Sequence, residues 1–386
     1  MKKFIALLLV LTMTLSLVAC GGKATQTEQT TDPSNQQTDV SDKSGDSKTV
    51  DIGIVLPTKD EPRWIQDETR FKDALRSTEY SVEVLFSQGD SAREKQNVEA
   101  LIAKGIKVLI ICAHDGAAAA AAAEAAKKEG VTVIAYDRLI NGTDAVDYYV
   151  TFDSVAVGEA MGQYLADRAE GKGNPLYLYA GAASDNNSFL FFEGAWNILQ
   201  PKIADGTFEI KNSSEAVALQ DKATLTRDEM ARIIGQVTTN WDFNEAKNKA
   251  EAHLTAVGKE DKGDVFILAP NDGTARSIAD TFAADPDVTS YVVTGQDAEK
   301  ASVQYIIDGK QSMTVFKDVR TLVNDAINMA ISVLKGNTPE TTGAYNNGVI
   351  DVKAKQTDVI VVDKDNVKAA LIDSGYYPAS DFTGLD

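Results

Sequence analysis

From Val50 onward, short apolar runs alternate with segments of helical pattern, and this alternation restricts the chain to few folds. Val50–Leu56 reads as a strand, Trp64–Leu75 as a helix and Val82–Phe86 as a strand. A helix over Ala92–Ala103 leads to a strand over Lys107–Cys112. The Ala-rich segment Ala117–Lys128 reads as a helix ended by Gly130, and Val131–Tyr136 is the next strand. Alanine is the best helix former, and that run needs no other explanation. Strands that are apolar throughout must be covered on both faces, as in parallel sheets flanked by helices. The pattern then begins again, with a helix over Val155–Arg168, a strand over Pro175–Ala180 and a helix over Phe189–Leu199. Later strands fall at Val265–Ala269, Ser290–Thr294 and Met313–Phe316, each followed by a helix. Two such sets of similar size predict two doubly wound α/β lobes.

The N-terminal region is of a different kind. A basic start at Lys2 and Lys3 precedes an apolar run from Phe4 to Val18, then Leu17-Val-Ala-Cys-Gly21. This order marks residues 1–19 as a secretory signal. Cysteine directly after small residues is the bacterial lipobox pattern. The mature chain is expected to begin at Cys20, lipidated there and anchored to the membrane. Stable anchoring takes two acyl signals, since each buried methylene contributes only ~0.8 kcal/mol. The apolar run is short against the ~20 residues of a membrane-spanning helix. From Gly21 to Lys48 the chain is polar, with almost nothing to bury, so residues 20–49 read as a disordered tether.

The chain has 2 cysteines, Cys20 and Cys112. If Cys20 carries lipid, no disulfide forms within one mature chain. Cys112 closes an apolar run and reads as a small buried hydrophobe. An exported protein without disulfides needs a large core, and the length after Lys48 suffices for two domains. A net charge of −19 excludes a nucleic-acid partner. With His114 and His253 alone, a histidine-rich zinc site is not expected, and no cofactor or metal is called for. Asp363 and Asp365 hint at a calcium loop but fit a helix cap better.

In parallel sheets, ligands bind outside the carboxyl ends of the strands. Leu56 is followed by Pro57-Thr-Lys-Asp-Glu-Pro-Arg63-Trp64, and Tyr136 by Asp137-Arg138. Ala180 is followed by Gly181-Ala-Ala-Ser-Asp185-Asn-Asn187, and Ala269 by Pro270-Asn271-Asp272-Gly273. Gly295-Gln296-Asp297 follows Thr294, and Lys317 follows Phe316. Carboxylates, amides, guanidinium groups and indoles thus recur at one topological position in both lobes. This set suits a sugar, whose hydroxyls donate and accept and whose C–H faces pack on aromatic rings. A closing cleft would make any missing hydroxyl costly. Taken singly, each element has a plainer description. Asp137-Arg138 fits an ion pair at a strand end, Asn271-Asp272-Gly273 fits a turn and cap, and Arg63-Trp64 fits ordinary packing.

The stretches Ile52–Thr58 with Arg63-Trp64, Ala135–Ile140, Asp147–Asp153 and Asp185–Asn187 resemble bacterial periplasmic sugar-binding proteins of the ribose/galactose type. Gly295–Glu299, Thr314–Asp318, Tyr345–Gly348 and Ser374–Tyr377 extend the likeness. Within that family it is most similar to the receptors for D-xylose and for galactose, glucose and arabinose. The resemblance implies a type I periplasmic binding protein fold, with two parallel-sheet lobes joined by a hinge of three crossings. Those crossings are expected near Asp153, Lys317 and Asn346. The N-lobe would then hold residues 50–153 and 318–345, and the C-lobe 154–317 and 346–386.

By the same resemblance, Arg63, Asp137, Arg138, Asp185, Asn187, Asn271, Asp297 and Lys317 would hydrogen-bond a monosaccharide. Trp64 would stack on one ring face, and Trp241 is the candidate for the other. The segment Ser213–Thr239 does not align with the family pattern. The implied role is that of a monomeric, extracytoplasmic receptor of an ABC transporter. It would lie in the periplasm or on the outer face of the cytoplasmic membrane and hand an aldose to a membrane permease. A sensor or chemoreceptor partner is the alternative. A sugar-responsive repressor would need a DNA-binding headpiece before Val50, where a signal and tether stand instead. A glycosidase using Asp137 and Asp297 would lack a general acid, because cationic neighbours keep both carboxylates ionised.

Overall fold

The computed structural model describes residues 49–76 and 78–385. The expected signal, the expected lipidation at Cys20 and the expected tether up to residue 48 lie outside the described residues. The first sheet takes β1 (Ile52–Leu56), β2 (Val82–Phe86), β3 (Val108–Ile111), β4 (Thr132–Tyr136) and β5 (Tyr148–Phe152). The second takes β6 (Asn174–Leu178), β7 (Phe208–Ile210), β8 (Gly263–Leu268) and β9 (Val288–Val293). Four strands follow: β10 (Met313–Phe316), β11 (Gly343–Asn346), β12 (Asp351–Thr357) and β13 (Ile360–Asp363).

The order in the seven-stranded sheet is β11-β12-β5-β4-β3-β1-β2, parallel except for the β11–β12 hairpin. The four-stranded sheet runs β7-β6-β8-β9, all parallel. β10 pairs antiparallel with β13. β1 and β3 are buried along their whole length, as their unbroken apolar sequences require. One apolar layer packs against each face of each sheet.

Three segments join the lobes. β5 leads into the helix Ser154–Ala166, which packs on the C-lobe helix Asn186–Ala204. β10 leads into the helix Val319–Leu334, which packs on the N-lobe helix Pro62–Leu75. The third crossing differs from the sequence expectation. β11 and β12 belong to the first sheet, and β12 pairs in parallel with β5. The chain therefore returns to the C-lobe at Asp358, between β12 and β13, and not near Asn346. Asn346-Asn347-Gly348 is the turn of a hairpin. Asn347 Nδ2 fastens it to the N-lobe carbonyls of Ile140 (3.1 Å) and Thr143 (2.8 Å). The polar, alternating sequence Asp351-Val-Lys-Ala-Lys-Gln-Thr357 hides a strand, paired between β11 and β5, that buries only Val352 and Ala354. Residues 346–357 thus move from the expected C-lobe to the N-lobe.

The segment left unaligned, Ser213–Thr239, forms two short helices, Ser214–Ala218 and Arg227–Val237. The second opens with a full capping box between Thr226 and Glu229. Asp363 and Asp365 form a turn in which the Asp365 N–H donates to Asp363 Oδ1 at 3.0 Å. The helices Ser154–Ala166 and Asn186–Ala204 meet at glycines. A Cβ on Gly158 would lie 2.0 Å from the Phe191 carbonyl oxygen, and one on Gly194 would lie 2.1 Å from that of Val155. This close approach fixes the helix whose N-terminus carries Asp185 and Asn187.

Candidate functional site

All ten residues singled out from the sequence line one cavity between the lobes: Arg63, Trp64, Asp137, Arg138, Asp185, Asn187, Trp241, Asn271, Asp297 and Lys317. The cavity holds about 290 Å³ of space not filled by atoms. Glu61, Phe191 and Gln296 complete the lining and were not singled out. Glu61 and Gln296 stood inside the strand-end loops already quoted. Phe191 lies four residues after Asn187, one helical turn along the same face.

Pro62 starts the helix Pro62–Leu75, where its missing N–H costs nothing, and places Arg63 and Trp64 in the first turn. The Arg63 guanidinium touches three carboxylates. Its Nε donates to Asp67 Oδ2 at 2.7 Å, its Nη2 to Asp137 Oδ2 at 3.0 Å and its Nη1 to Asp297 Oδ1 at 3.2 Å. Asp67 is fully buried and also receives the Tyr136 hydroxyl at 2.5 Å. Arg138 Nε pairs with Asp185 Oδ2 at 3.0 Å, while its Nη2 reaches Glu61 at 3.5 Å. Both guanidinium groups lie about 5 Å from the centre of the Trp64 ring, at 5.0 and 4.9 Å.

The C-lobe supplies its polar groups mainly at helix starts. Asp185 caps Asn186–Ala204 by accepting from the Asn187 N–H, and Asn271 caps Asp272–Ala284. Asn187 Nδ2 crosses the cleft to the Asp137 carbonyl at 3.0 Å. Lys317 Nζ sits 2.7 Å from Asp297 Oδ1, at the crossing after β10. Trp241 stands edge-on to Phe191, with ring centres 6.4 Å apart. It is admitted by Gly181, where a Cβ would lie 2.0 Å from the indole.

Backbone strain concentrates here. Asp137, Trp241 and Asp297 have φ of 61°, 62° and 102°, a region non-glycine residues seldom occupy. At Asp137 the conformation turns the carbonyl toward Tyr149 Oη, which donates at 2.7 Å. The electrostatics fix the charge states. Burial pushes the Asp137 carboxyl up, but Arg63, Lys317 and Arg138 outweigh it and hold the group below its usual range. Burial likewise opposes the charge on Arg63, yet Asp67, Asp137 and Asp297 raise it well above the ordinary value.

Arg63–Asp297, Arg138–Asp185 and Asn187–Asp137 each join one lobe to the other, so the structure is a closed one. Such a site can surround a small polar ring with donors, acceptors and two indoles. It has the general form of a two-lobed extracytoplasmic solute receptor. Residues 52–338 match the family model described as the periplasmic binding protein domain. The chain belongs to this family, with its type I fold. It is 35% identical to the multiple sugar-binding periplasmic protein SbpA of Azospirillum brasilense, covering 86% of this chain and 90% of that one. The D-xylose-binding periplasmic protein of Escherichia coli is 30% identical over 87% of this chain and 93% of that protein. A carbohydrate transporter solute-binding protein from Chloroflexus aurantiacus, solved in complex with D-glucose, is 76% identical. It aligns with a TM-score of 0.86 over 87% of this chain and 99% of that one.

Proposed function

We propose that this protein captures an aldopyranose between its lobes and delivers it to the permease of an ABC transporter. Glucose heads the candidates, with xylose, galactose and arabinose beside it. The observation that carries this reading is convergence: donors, acceptors and aromatic faces from both lobes line one cavity. Arg63, Asp137, Arg138, Asp185, Asn187, Asn271, Asp297 and Lys317 take the hydroxyls and ring oxygen, and Trp64 and Trp241 take the ring faces. Identity to a glucose-bound solute-binding protein supports the same ligand class. The reading is of a receptor and not of an enzyme. Asp137, held ionised by three cations, has no proton to give a leaving group.

The lipobox pattern at Cys20 supports a position outside the cytoplasm on a lipid anchor, and in this reading the protein works as a monomer tethered near its permease. A thermal-shift panel of common aldoses tests the binding. A ligand that binds only the native state raises the melting temperature by mass action, so at least one of the four sugars produces a shift. A flat response to every monosaccharide removes the reading. Cys20→Ser should move the protein from the membrane fraction to the supernatant, and deleting the permease should abolish uptake of the bound sugar.

A further inference from the structure

The charged groups on the cavity wall are already engaged by protein partners. Arg63 is held by Asp67, Asp137 and Asp297, Arg138 by Asp185, and Lys317 by Asp297. Gln296 is different. Its residue is 3% exposed, and its Oε1 is buried without a hydrogen-bond partner among the described residues. Trp241 Nε1, also on the cavity lining, is likewise buried and unpartnered among the described residues. A buried amide left without a partner is expensive, and native proteins keep few of them.

The position of this amide is enforced. The Gln296 carbonyl accepts from the Asp272 N–H at 3.0 Å. On either side, Val315 N–H donates to Gly295 O at 2.9 Å and Asp297 N–H donates to Val315 O at 2.9 Å. The backbone is thus stitched to β10 and to the start of the helix Asp272–Ala284. The side chain cannot leave the cavity wall by a local backbone shift.

We propose that the Gln296 carboxamide is a specificity-determining contact that reads the orientation of neighbouring ring hydroxyls. This deepens the sugar-receptor reading and rests on it. An ionised carboxylate only accepts, and a guanidinium or ammonium only donates. Each therefore asks the same single role, donor or acceptor, of every hydroxyl it meets. A fixed carboxamide accepts at one end and donates at the other, so it satisfies only a sugar whose adjacent hydroxyls present the matching pair. An epimer or deoxy sugar leaves one end of the amide desolvated and unbonded, which is how such sites reject analogues.

Calorimetric titration of the whole protein with D-glucose and its monodeoxy analogues tests this. The proteins compared are wild type, Gln296→Met and Gln296→Leu, each also melted without sugar. Both variants should bind glucose about tenfold more weakly or worse. One deoxy sugar, already weak on wild type, should lose nothing further on the variants, because sugar and protein have lost the same bond. The sugar-free melting temperature should stay level or rise, since an apolar side chain removes a desolvated polar group. Unchanged glucose affinity overturns the proposal. So does an equal loss for every deoxy sugar, or a lower sugar-free melting temperature in both variants, either of which makes Gln296 a packing residue. If wild type binds no aldose, the receptor reading itself fails and this proposal with it. If wild type binds glucose and both variants match it, only the role of Gln296 fails.

Discussion

The two lobes build their halves of the cavity by opposite means. The N-lobe presents cations on a seven-stranded sheet and braces them from behind. Arg63 is held by the fully buried Asp67, itself held by Tyr136, and the Asp137 carbonyl is held by Tyr149. The C-lobe, on four parallel strands, presents carboxylates and amides at helix starts and on loops. Its loop 295–299 is lashed by Asp272, which accepts from Glu299 N–H at 2.8 Å and Thr314 Oγ1 at 3.1 Å. The difference teaches why closure is specific. A braced cation meets a helix-start or loop carboxylate at Arg138–Asp185 and Arg63–Asp297, and neither half offers a complete site alone.

Removing the N-lobe acceptor should do the most damage. Asp137→Ala strips one of the three carboxylates around Arg63, and with it the acceptor assigned to the sugar, and unbalances the buried charge of the site. Breaking a buried pair from one side costs roughly 3–5 kcal/mol. Glucose binding should fall by about a thousandfold and the sugar-induced melting shift should vanish, with far-ultraviolet dichroism unchanged. Retained binding would mean that the N-lobe acceptor lies elsewhere.

The C-lobe counterpart is steric. Gly181→Ala puts a methyl where the Trp241 ring lies, 2.0 Å from its carbon. Forcing a packed group aside costs typically 1–3 kcal/mol. The indole should leave the cavity, and glucose affinity should drop about thirtyfold, while the N-lobe ion pairs persist. Quenching of Trp241 fluorescence on adding sugar, read with Trp64 and Trp196 replaced by Phe and absent once Gly181→Ala is added, separates loss of the ring from general destabilisation.

The N-lobe was the more legible of the two in sequence. Its strands β1 and β3 are unbroken apolar runs, Asp137 and Arg138 directly follow β4, and Arg63 and Trp64 stand in the first helical turn after β1, so topology alone brought them together. Trp241 was harder to see. It follows no named strand, and although Arg227–Val237 buries Met230, Ile233, Ile234 and Val237 at helical spacing, the segment leading to it matches nothing in the family pattern. The third crossing was misplaced for a related reason. A strand with one buried face, Asp351–Thr357, reads as polar linker, and Asn346-Asn347-Gly348 reads as a place to change lobe. Gln296 went unremarked beside Asp297 because an amide draws less notice than a charge. Its importance shows only in the absence of a partner, which no sequence reports.

The braces should matter less than the groups they hold. Asp67→Asn keeps one acceptor for Arg63 but gives up the charge-assisted pair of bonds, which spans 2.7 and 3.3 Å. Hydrogen bonds to charged groups contribute about 1.5–3 kcal/mol. Glucose affinity should fall about tenfold, with the loss rescued in part by Asp67→Glu. An effect on melting temperature without one on affinity would show that the brace serves the fold and not the site.

The smallest effect separates the lobes by pH. Glu94 in the N-lobe and Glu299 in the C-lobe are both buried, and burial pushes each carboxyl from 4.5 up to about 7. Glu299 has Arg276 at 2.8 Å. Glu94 accepts only the His114 N–H, at 2.8 Å, and its Oε1 has no partner among the described residues. Because the folded value lies above the unfolded one, the native state binds the extra proton between about pH 4.5 and 7. The stability each group contributes is therefore complete below 4.5 and lost as pH rises through 7. Glutamine mimics the protonated form. Glu94→Gln should match wild type at pH 4.5 and exceed it at pH 8 by about 1–2 kcal/mol. That is below the ~3 kcal/mol equivalent to the whole displacement, since the amide nitrogen needs an acceptor of its own. Glu299→Gln should gain less at pH 8, because it strips Arg276 of its counter-charge. Urea unfolding at the two pH values decides, and equal gains for both variants would mean that Arg276 does not hold Glu299 as the geometry indicates.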